Sequence, residues 1–141
     1  MQLVSNNGAI RNQVRVLLVD DDQTMHEMLD LSLDKTQYNV AHAVDAREAM
    51  TVIAHQPPDI VITDAMMPGV SGYSLITSLK SDPRTADIPV ILWTVLEGMD
   101  GNVMDSSGQA DLTMSKPFNL FDLEDRLDKA KQLLHRPAKV D

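Results

Sequence analysis

Five polar side chains of this sequence directly follow or end short apolar runs. Asp20 and Asp21 come after VRVLLV, Asp64 ends DIVITD, Thr94 ends IPVILWT and Lys116 comes after DLTMS. Carboxylates that are brought close together raise one another's pKa unless a cation joins them. A few carboxylates suit Mg²⁺, while a lysine and a threonine can donate to phosphate oxygens. These residue types predict a magnesium-dependent site for phosphoryl chemistry.

The apolar runs have the length and composition of buried β-strands, and they alternate with stretches of helical spacing. We predict strands over 14–19, 38–44, 59–64, 88–94 and 111–115, and helices that begin near Thr24, Ala46, Gly72 and Leu120. Alternating strands and helices predict an α/β fold with a doubly wound, five-stranded parallel sheet and about five helices. Ligands of such sheets bind beyond the carboxyl ends of the strands, which is where the five polar side chains fall.

Local signals predict how some helices begin. Thr24 and Glu27 have the spacing of a capping box, Asp22 is a candidate helix-entry residue, and Asn119 can cap the last helix. A fourth helix within 97–108 would contain Gly98 and Gly101 in its interior, each costing about 1 kcal/mol relative to alanine. We therefore expect any helix in that stretch to be short.

Composition excludes several classes of protein. The chain has 141 residues, enough for one domain with a proper core, and it has no cysteine for a disulfide or a thiol nucleophile. A net charge of −9 argues against direct binding to nucleic acids. No apolar stretch approaches the roughly 18 residues that span a bilayer, and no signal peptide is apparent, so we expect a cytoplasmic protein.

Four motifs together resemble the receiver domain of two-component response regulators, of the kind found in chemotaxis regulators. They are VDDD, ITDAMMPGVSG, PVILWT and MSKPF, in this order and at these separations. The resemblance covers nearly the whole chain, and it implies a flavodoxin-like fold with strand order 2-1-3-4-5. We predict an N-terminal arm over 1–13, a receiver domain over 14–134, and a tail or linker over 135–141.

The resemblance also implies roles for single residues. Asp64 matches the phosphate acceptor, and Asp20 and Asp21 match the acids that bind Mg²⁺ together with Asp64. Met66 would supply a backbone carbonyl to the metal. Thr94 and Lys116 match the residues that contact the phosphoryl group. Pro117 matches a proline that follows a cis peptide bond and orients the lysine.

The implied function is acceptance of a phosphoryl group from a histidine kinase or histidine phosphotransfer protein. Such a protein is not an enzyme in the usual sense, because it catalyses only its own phosphorylation and dephosphorylation. The signal would leave by contact with a downstream protein or a second copy, through the face formed by the fourth helix, fifth strand and fifth helix. We expect no direct contact with nucleic acid or membrane.

Two residues depart from the family pattern. Thr113 stands where an aromatic residue usually changes rotamer on activation, and Val95 stands where a small residue usually follows the threonine. Both favour an alternative function, that of an interaction module that works without phosphorylation. A hydrolase of the aspartyl-phosphate type is disfavoured, because Met66 occupies the position of its second acid.

The remaining candidate residues have simpler interpretations. None of His26, His42, His55 and His135 has a partner at metal-ligand spacing in the sequence, so we predict surface or core positions for all four. Trp93 is predicted to pack in the fourth strand.

Overall fold

The computed structural model describes residues 3–4, 10–11, 13–67, 69, 71–94, 110–116 and 118–134. The predicted fourth helix, the C-terminal tail, Val95 and Pro117 lie outside the described residues. The described strands are β1 (Leu3–Val4), β2 (Ile10–Arg11), β3 (Val14–Val19), β4 (Tyr38–Ala43), β5 (Ile60–Asp64), β6 (Val90–Thr94) and β7 (Leu112–Ser115). The described helices are α1 (Gln23–Ser32), α2 (Ala46–His55), α3 (Gly72–Ser81) and α4 (Leu120–Leu134).

Five parallel strands form the main sheet in the order β4-β3-β5-β6-β7. Counted within this sheet, the order is 2-1-3-4-5, so the predicted topology is confirmed. The change in strand order lies between β3 and β5, whose carboxyl ends carry Asp20 and Asp64. Ahead of the sheet, β1 and β2 pair antiparallel within the predicted N-terminal arm.

Helices cover both faces of the sheet because the strands are apolar on both sides. The layer on one face contains Leu29 of α1 and Leu123 and Leu127 of α4, all fully buried. The layer on the other face contains Ile53 of α2 and Leu79 of α3. Every residue of β5 and β6 is buried, which is typical of central strands in a parallel sheet. Polar residues at the ends of these strands are therefore held by a rigid frame.

Each of the four described helices is preceded by a residue whose side chain accepts a backbone N–H of the first turn. The Asp22 carboxylate accepts from the N–H of Thr24 at 2.9 Å, so the prediction of Asp22 as the helix-entry residue is confirmed. The predicted capping box is wrong, because α1 begins at Gln23 and Thr24 already lies in its first turn. Asn119 accepts from the N–H of Asp122 at 2.8 Å, as predicted, and Asp45 begins α2 in the same way.

An ion pair joins the end of α3 to the start of β7. The ammonium of Lys80 donates to the carbonyls of Ala86 and Ile88 and to the carboxylate of Asp111, at 3.1, 2.8 and 2.8 Å. Asp111 also accepts from the N–H of Val90 at 2.8 Å. Both side chains of the pair are largely shielded from water, so this network fixes the edge where β6 and β7 begin.

Replacing Lys80 by methionine is expected to lower the free energy of unfolding by about 2 kcal/mol, because a partly buried carboxylate loses its charged partner. Urea unfolding of the two proteins measures the difference. Arg84→Ala is the matched control, since its pair with Asp82 is exposed and surface pairs contribute little. Equal losses in the two variants would contradict this account.

Within the part of the chain that the structure describes, no helix has the length and apolar character needed to cross a membrane.

Candidate phosphoryl-acceptor site

The carboxyl ends of β3, β5, β6 and β7 bring the predicted site residues to one rim of the sheet. Asp20 follows β3, and its N–H donates to the carbonyl of Ala43 at 3.0 Å, which continues the pairing with β4 by one residue. Asp64 and Thr94 are the last residues of β5 and β6. Lys116 follows β7, and its N–H donates to the carbonyl of Thr94 at 3.0 Å.

Three carboxylates of this rim are close enough to share one cation. One oxygen from each of Asp20, Asp21 and Asp64 lies within 4.8 Å of the other two. Asp20 is fully buried, Asp64 is 7% exposed and Asp21 is exposed. The cluster therefore has a buried base and opens to solvent on the side of Asp21.

The ammonium of Lys116 lies between the two buried carboxylates. Its Nζ atom is 2.6 Å from Oδ2 of Asp20 and 3.2 Å from Oδ2 of Asp64. Burial alone would lower the pKa of Lys116, but the ion pairs with the two carboxylates outweigh it, and the net shift of the pKa is upward. The ammonium also lies 5.6 Å from the centre of the Trp93 ring, within the range of a cation–π contact.

The environment of Asp64 makes its carboxylate more basic than usual. Burial raises the pKa of Asp64, and the nearby charge of Asp20 adds to this effect. Lys116 and the N–H of Met66, which is 3.3 Å from Oδ1, oppose the rise without cancelling it. A more basic carboxylate is a stronger nucleophile. The carboxylate of Asp64 lies at the rim and is 7% exposed.

The residues present fit a hard divalent cation such as Mg²⁺. All three clustered side chains offer carboxylate oxygens, which are the ligands that Mg²⁺ prefers. In the described part of the chain, the buried Oδ2 of Asp20 has no hydrogen bond of good geometry, although Lys116 lies within ion-pair distance. The Oδ1 atom of the same carboxylate accepts from the N–H of Asp22 at 2.8 Å, and this hydrogen bond fixes the orientation of the carboxylate.

Gly72 allows the loop after Asp64 to fold back against β5, and the sequence analysis gave it no role. Its N–H donates to the carbonyl of Ala65 at 3.0 Å. A Cβ atom at this position would lie 1.8 Å from the backbone oxygen of Asp64 and 2.8 Å from its carbonyl carbon. Only a residue without a side chain fits here. The ITDAMMPGVSG motif contained the signal, as a glycine at the start of a helix.

His26 and His42 lie at core and half-buried positions, as predicted, but the sequence analysis did not predict that they contact each other. Nδ1 of His26 lies 2.6 Å from Nδ1 of His42, and Nε2 of His26 donates to the backbone carbonyl of Asp20 at 2.7 Å. His26 is 2% exposed, and its hydrogen bond helps to hold the backbone of Asp20 in place. The sequence offered no signal for this pair, because α1 and β4 bring together residues sixteen positions apart.

The other predicted residues differ in burial. Thr94 is buried at the rim, and Trp93 is fully buried in β6, where its ring contacts that of Phe118 edge-on at 5.0 Å between centroids. Thr113 is half-buried in β7, and its carbonyl accepts from Nε of Arg126 at 2.8 Å. Met66 has a 73% exposed side chain beside Asp64. Val95 and Pro117 lie outside the described residues.

Comparison with known proteins identifies the family of this chain. The family model for the response regulator receiver domain matches residues 16–128. Because this match covers most of the sequence, the chain belongs to the response regulator receiver domain family. It is therefore a signalling module of two-component systems.

Individual relatives agree with this assignment. The DNA-binding dual master transcriptional regulator RpaA of Synechocystis sp. is 32% identical over 126 residues, covering 89% of this chain and 51% of the relative. The chain thus spans about half the length of this curated relative. The signal receiver domain of a signal transduction histidine kinase from Syntrophus aciditrophicus has a TM-score of 0.79 at 30% identity, covering 91% of this chain and 97% of that one.

A third relative was solved with a bound metal. The response regulator TrrA of Thermotoga maritima, in complex with Mg²⁺-BeF, has a TM-score of 0.72 at 29% identity. The match covers 83% of this chain and 98% of that chain.

Proposed function

We propose that this domain accepts a phosphoryl group on Asp64 in a Mg²⁺-dependent reaction, and that the modified domain signals through protein contacts. The observation that carries this proposal is the arrangement around Asp64. Asp64 is a basic, nearly buried carboxylate that lies within reach of two further carboxylates and one ammonium. The complex of TrrA with Mg²⁺-BeF supports the same chemistry in a relative.

In the proposed reaction, an oxygen of Asp64 attacks the phosphorus of a phosphohistidine on the donor protein. A P–O bond forms, the P–N bond breaks, and the imidazole leaves with the electron pair and takes up a proton. Asp20, Asp21, Asp64 and the backbone carbonyl of Met66 would hold the cation. The chemistry that a bound Mg²⁺ supplies is neutralisation of charge on the phosphoryl oxygens.

Two residues of the rim would bind the new phosphoryl group. The Asp64 carboxylate loses its own negative charge when it is phosphorylated. Lys116 can then turn from Asp64 towards a phosphoryl oxygen while keeping its short contact with Asp20. The hydroxyl of Thr94 can donate to a second oxygen from the neighbouring strand end. Both groups lie on the side of Asp64 that faces β6 and β7.

The proposed donors are a histidine kinase or a histidine phosphotransfer protein, and the proposed receivers of the signal are a downstream protein or a second copy of this chain. Thr113 is the residue that bears on this output. A threonine fills less space than the aromatic residue that the family resemblance leads one to expect at this position of β7. If phosphorylation is transmitted to a partner by a different structural change in this protein, we expect that change to involve Thr113 first.

Incubation with Mg²⁺ and acetyl phosphate tests the acceptor role. We expect the wild-type domain to gain the mass of one phosphoryl group, and Asp64→Asn to gain none, because an amide is not nucleophilic. Asp87→Asn changes an exposed aspartate away from the rim and should behave as wild type. Intact-mass spectrometry under mild conditions measures all three, and omission of Mg²⁺ should prevent the gain.

The alternative function predicts a different result. An interaction module that works without phosphorylation would gain no mass with acetyl phosphate, and beryllofluoride would leave the fluorescence of Trp93 unchanged. Trp93 is suited to this measurement, because it is the only tryptophan and lies against Lys116.

A further inference from the structure

A second cluster of metal-ligating side chains lies between α1 and β4, apart from the acidic rim. His26 of α1 and His42 of β4 place their Nδ1 atoms 2.6 Å apart. Their rings meet edge-on, with centroids 4.8 Å apart and an interplanar angle of 64°. Neither residue belongs to the phosphoryl-acceptor site.

Hydrogen bonds to acceptors indicate that the Nε2 atoms of this pair carry protons. Nε2 of His26 faces the carbonyl of Asp20 at 2.7 Å, and Nε2 of His42 faces the carboxylate of Asp30 at 3.1 Å. Both partners can only accept, so both Nε2 atoms donate. Each Nδ1 atom of a neutral ring then carries a lone pair. Two lone pairs 2.6 Å apart repel each other unless a positive centre lies between them.

The acceptor on His42 is held in its ionised form. Although burial alone would raise the pKa of Asp30, the hydrogen bond from Lys35 and the positive charge of its ammonium lower it. Lys35 lies 3.1 Å from the same carboxylate oxygen. Histidines that bind metals commonly donate their second ring N–H to a carboxylate or a backbone carbonyl. His26 and His42 use one acceptor of each kind.

The pair borders a cavity that can admit an ion and its water. The cavity has a volume of about 170 Å³ and is lined by Gln23, His26, Asp30, His42 and Val44. His26 is 2% exposed, whereas the side chain of His42 is 34% exposed and can adjust its position. An ion could therefore enter on the side of His42.

We propose that His26 and His42 form a binding site for a divalent transition metal of the zinc class, through their two Nδ1 atoms. Imidazole nitrogen suits Zn²⁺ and Cu²⁺, whereas Mg²⁺ prefers oxygen ligands. A tetrahedral ion about 2.0–2.1 Å from each nitrogen needs them roughly 3.3 Å apart, so the rings separate by less than 1 Å. Water in the cavity would complete the coordination. The site does not depend on the phosphoryl-acceptor function.

Calorimetric titration with Zn²⁺ in excess Mg²⁺ tests the site. The excess Mg²⁺ is expected to occupy the acidic rim, so that Zn²⁺ binding reports on the histidine pair. We expect one Zn²⁺ to bind the wild-type protein and at least tenfold weaker binding by His42→Ala. His55→Ala removes an exposed histidine of α2 and should bind as wild type does. Asp30→Asn keeps both ligands but weakens the acceptor for His42, and about tenfold weaker binding is expected.

The spectrum of bound Cu²⁺ identifies the ligand atoms independently of affinity. Electron paramagnetic resonance should show nitrogen hyperfine structure in the wild type and its loss in His42→Ala. Circular dichroism checks that the substitution of this half-exposed histidine leaves the fold intact. Should His42→Ala unfold, the weaker Zn²⁺ binding expected of Asp30→Asn tests the site instead. The proposal is overturned if Zn²⁺ does not bind in excess Mg²⁺, if His42→Ala binds equally well, or if the Cu²⁺ spectrum shows oxygen ligands alone. A proton shared between the two Nδ1 atoms would then be the only positive centre between the rings.

Discussion

Replacing Gly72 by alanine is expected to destabilise the domain by at least about 3 kcal/mol, at the upper end of the range for overpacking. The new Cβ atom would lie 1.8 Å from the backbone oxygen of Asp64, and this oxygen cannot move without displacing the end of β5. In the fraction of the variant that folds, Asp64 should be displaced. This fraction should therefore be phosphorylated more slowly by acetyl phosphate. Urea unfolding followed by the fluorescence of Trp93 measures the loss of stability.

Gly69 provides a matched control, three residues earlier in the same loop. Its φ of +80° disfavours a side chain, but a Cβ atom there would have nothing within 4 Å. Gly69→Ala should therefore cost about 1–2 kcal/mol, the strain of a left-handed backbone. Equal losses at the two positions would show that the close approach to Asp64 is not what requires Gly72.

Replacing Lys116 by methionine is expected to lower the free energy of unfolding by about 3 kcal/mol in the absence of Mg²⁺. Asp20 is fully buried, and removal of the ammonium 2.6 Å away leaves its charge without that partner, beside a second buried carboxylate. Lys129→Met removes an exposed ammonium from its pair with Asp125 and should change stability little.

Addition of Mg²⁺ should restore much of the stability that Lys116→Met loses. A ligand that binds only the folded state raises stability in proportion to its affinity and concentration. Since the ammonium of Lys116 contacts carboxylates that would bind the cation, its removal should strengthen Mg²⁺ binding and enlarge the rise in melting temperature relative to wild type. A variant that is as stable as wild type, or that responds less to Mg²⁺, contradicts the proposed arrangement of charges.

The sequence predicted the sheet and the residues at its rim because both depend on strong local signals. Short apolar runs that end in Asp20, Asp64 and Thr94 can hardly form anything but buried strands with polar ends, and alternation with helices fixes the topology. The distances at the rim follow from that topology. Nothing local, however, predicts the contact of Lys116 with Asp20, because two strands, β5 and β6, lie between β3 and β7 in the sheet.

The errors of the sequence analysis arise where tertiary contacts compete with local patterns. Thr24 and Glu27 have the spacing of a capping box, yet Asp22 caps α1 because its backbone N–H is already bonded to the side chain of Asp20. His26 and His42 have no relation along the sequence and meet only through the packing of α1 on β4. The steric requirement at Gly72 arises in the same way, from a loop that folds back onto the end of β5.

The most direct test of the central claim is to locate the phosphoryl group. After reaction with Mg²⁺ and acetyl phosphate, treatment with borohydride reduces an aspartyl phosphate to homoserine, and peptide mass spectrometry identifies its position. The account predicts homoserine at position 64 and at no other aspartate, and none when Mg²⁺ is omitted. Homoserine at position 20 or 21 instead, or at no position, would contradict the assignment of Asp64 as the acceptor.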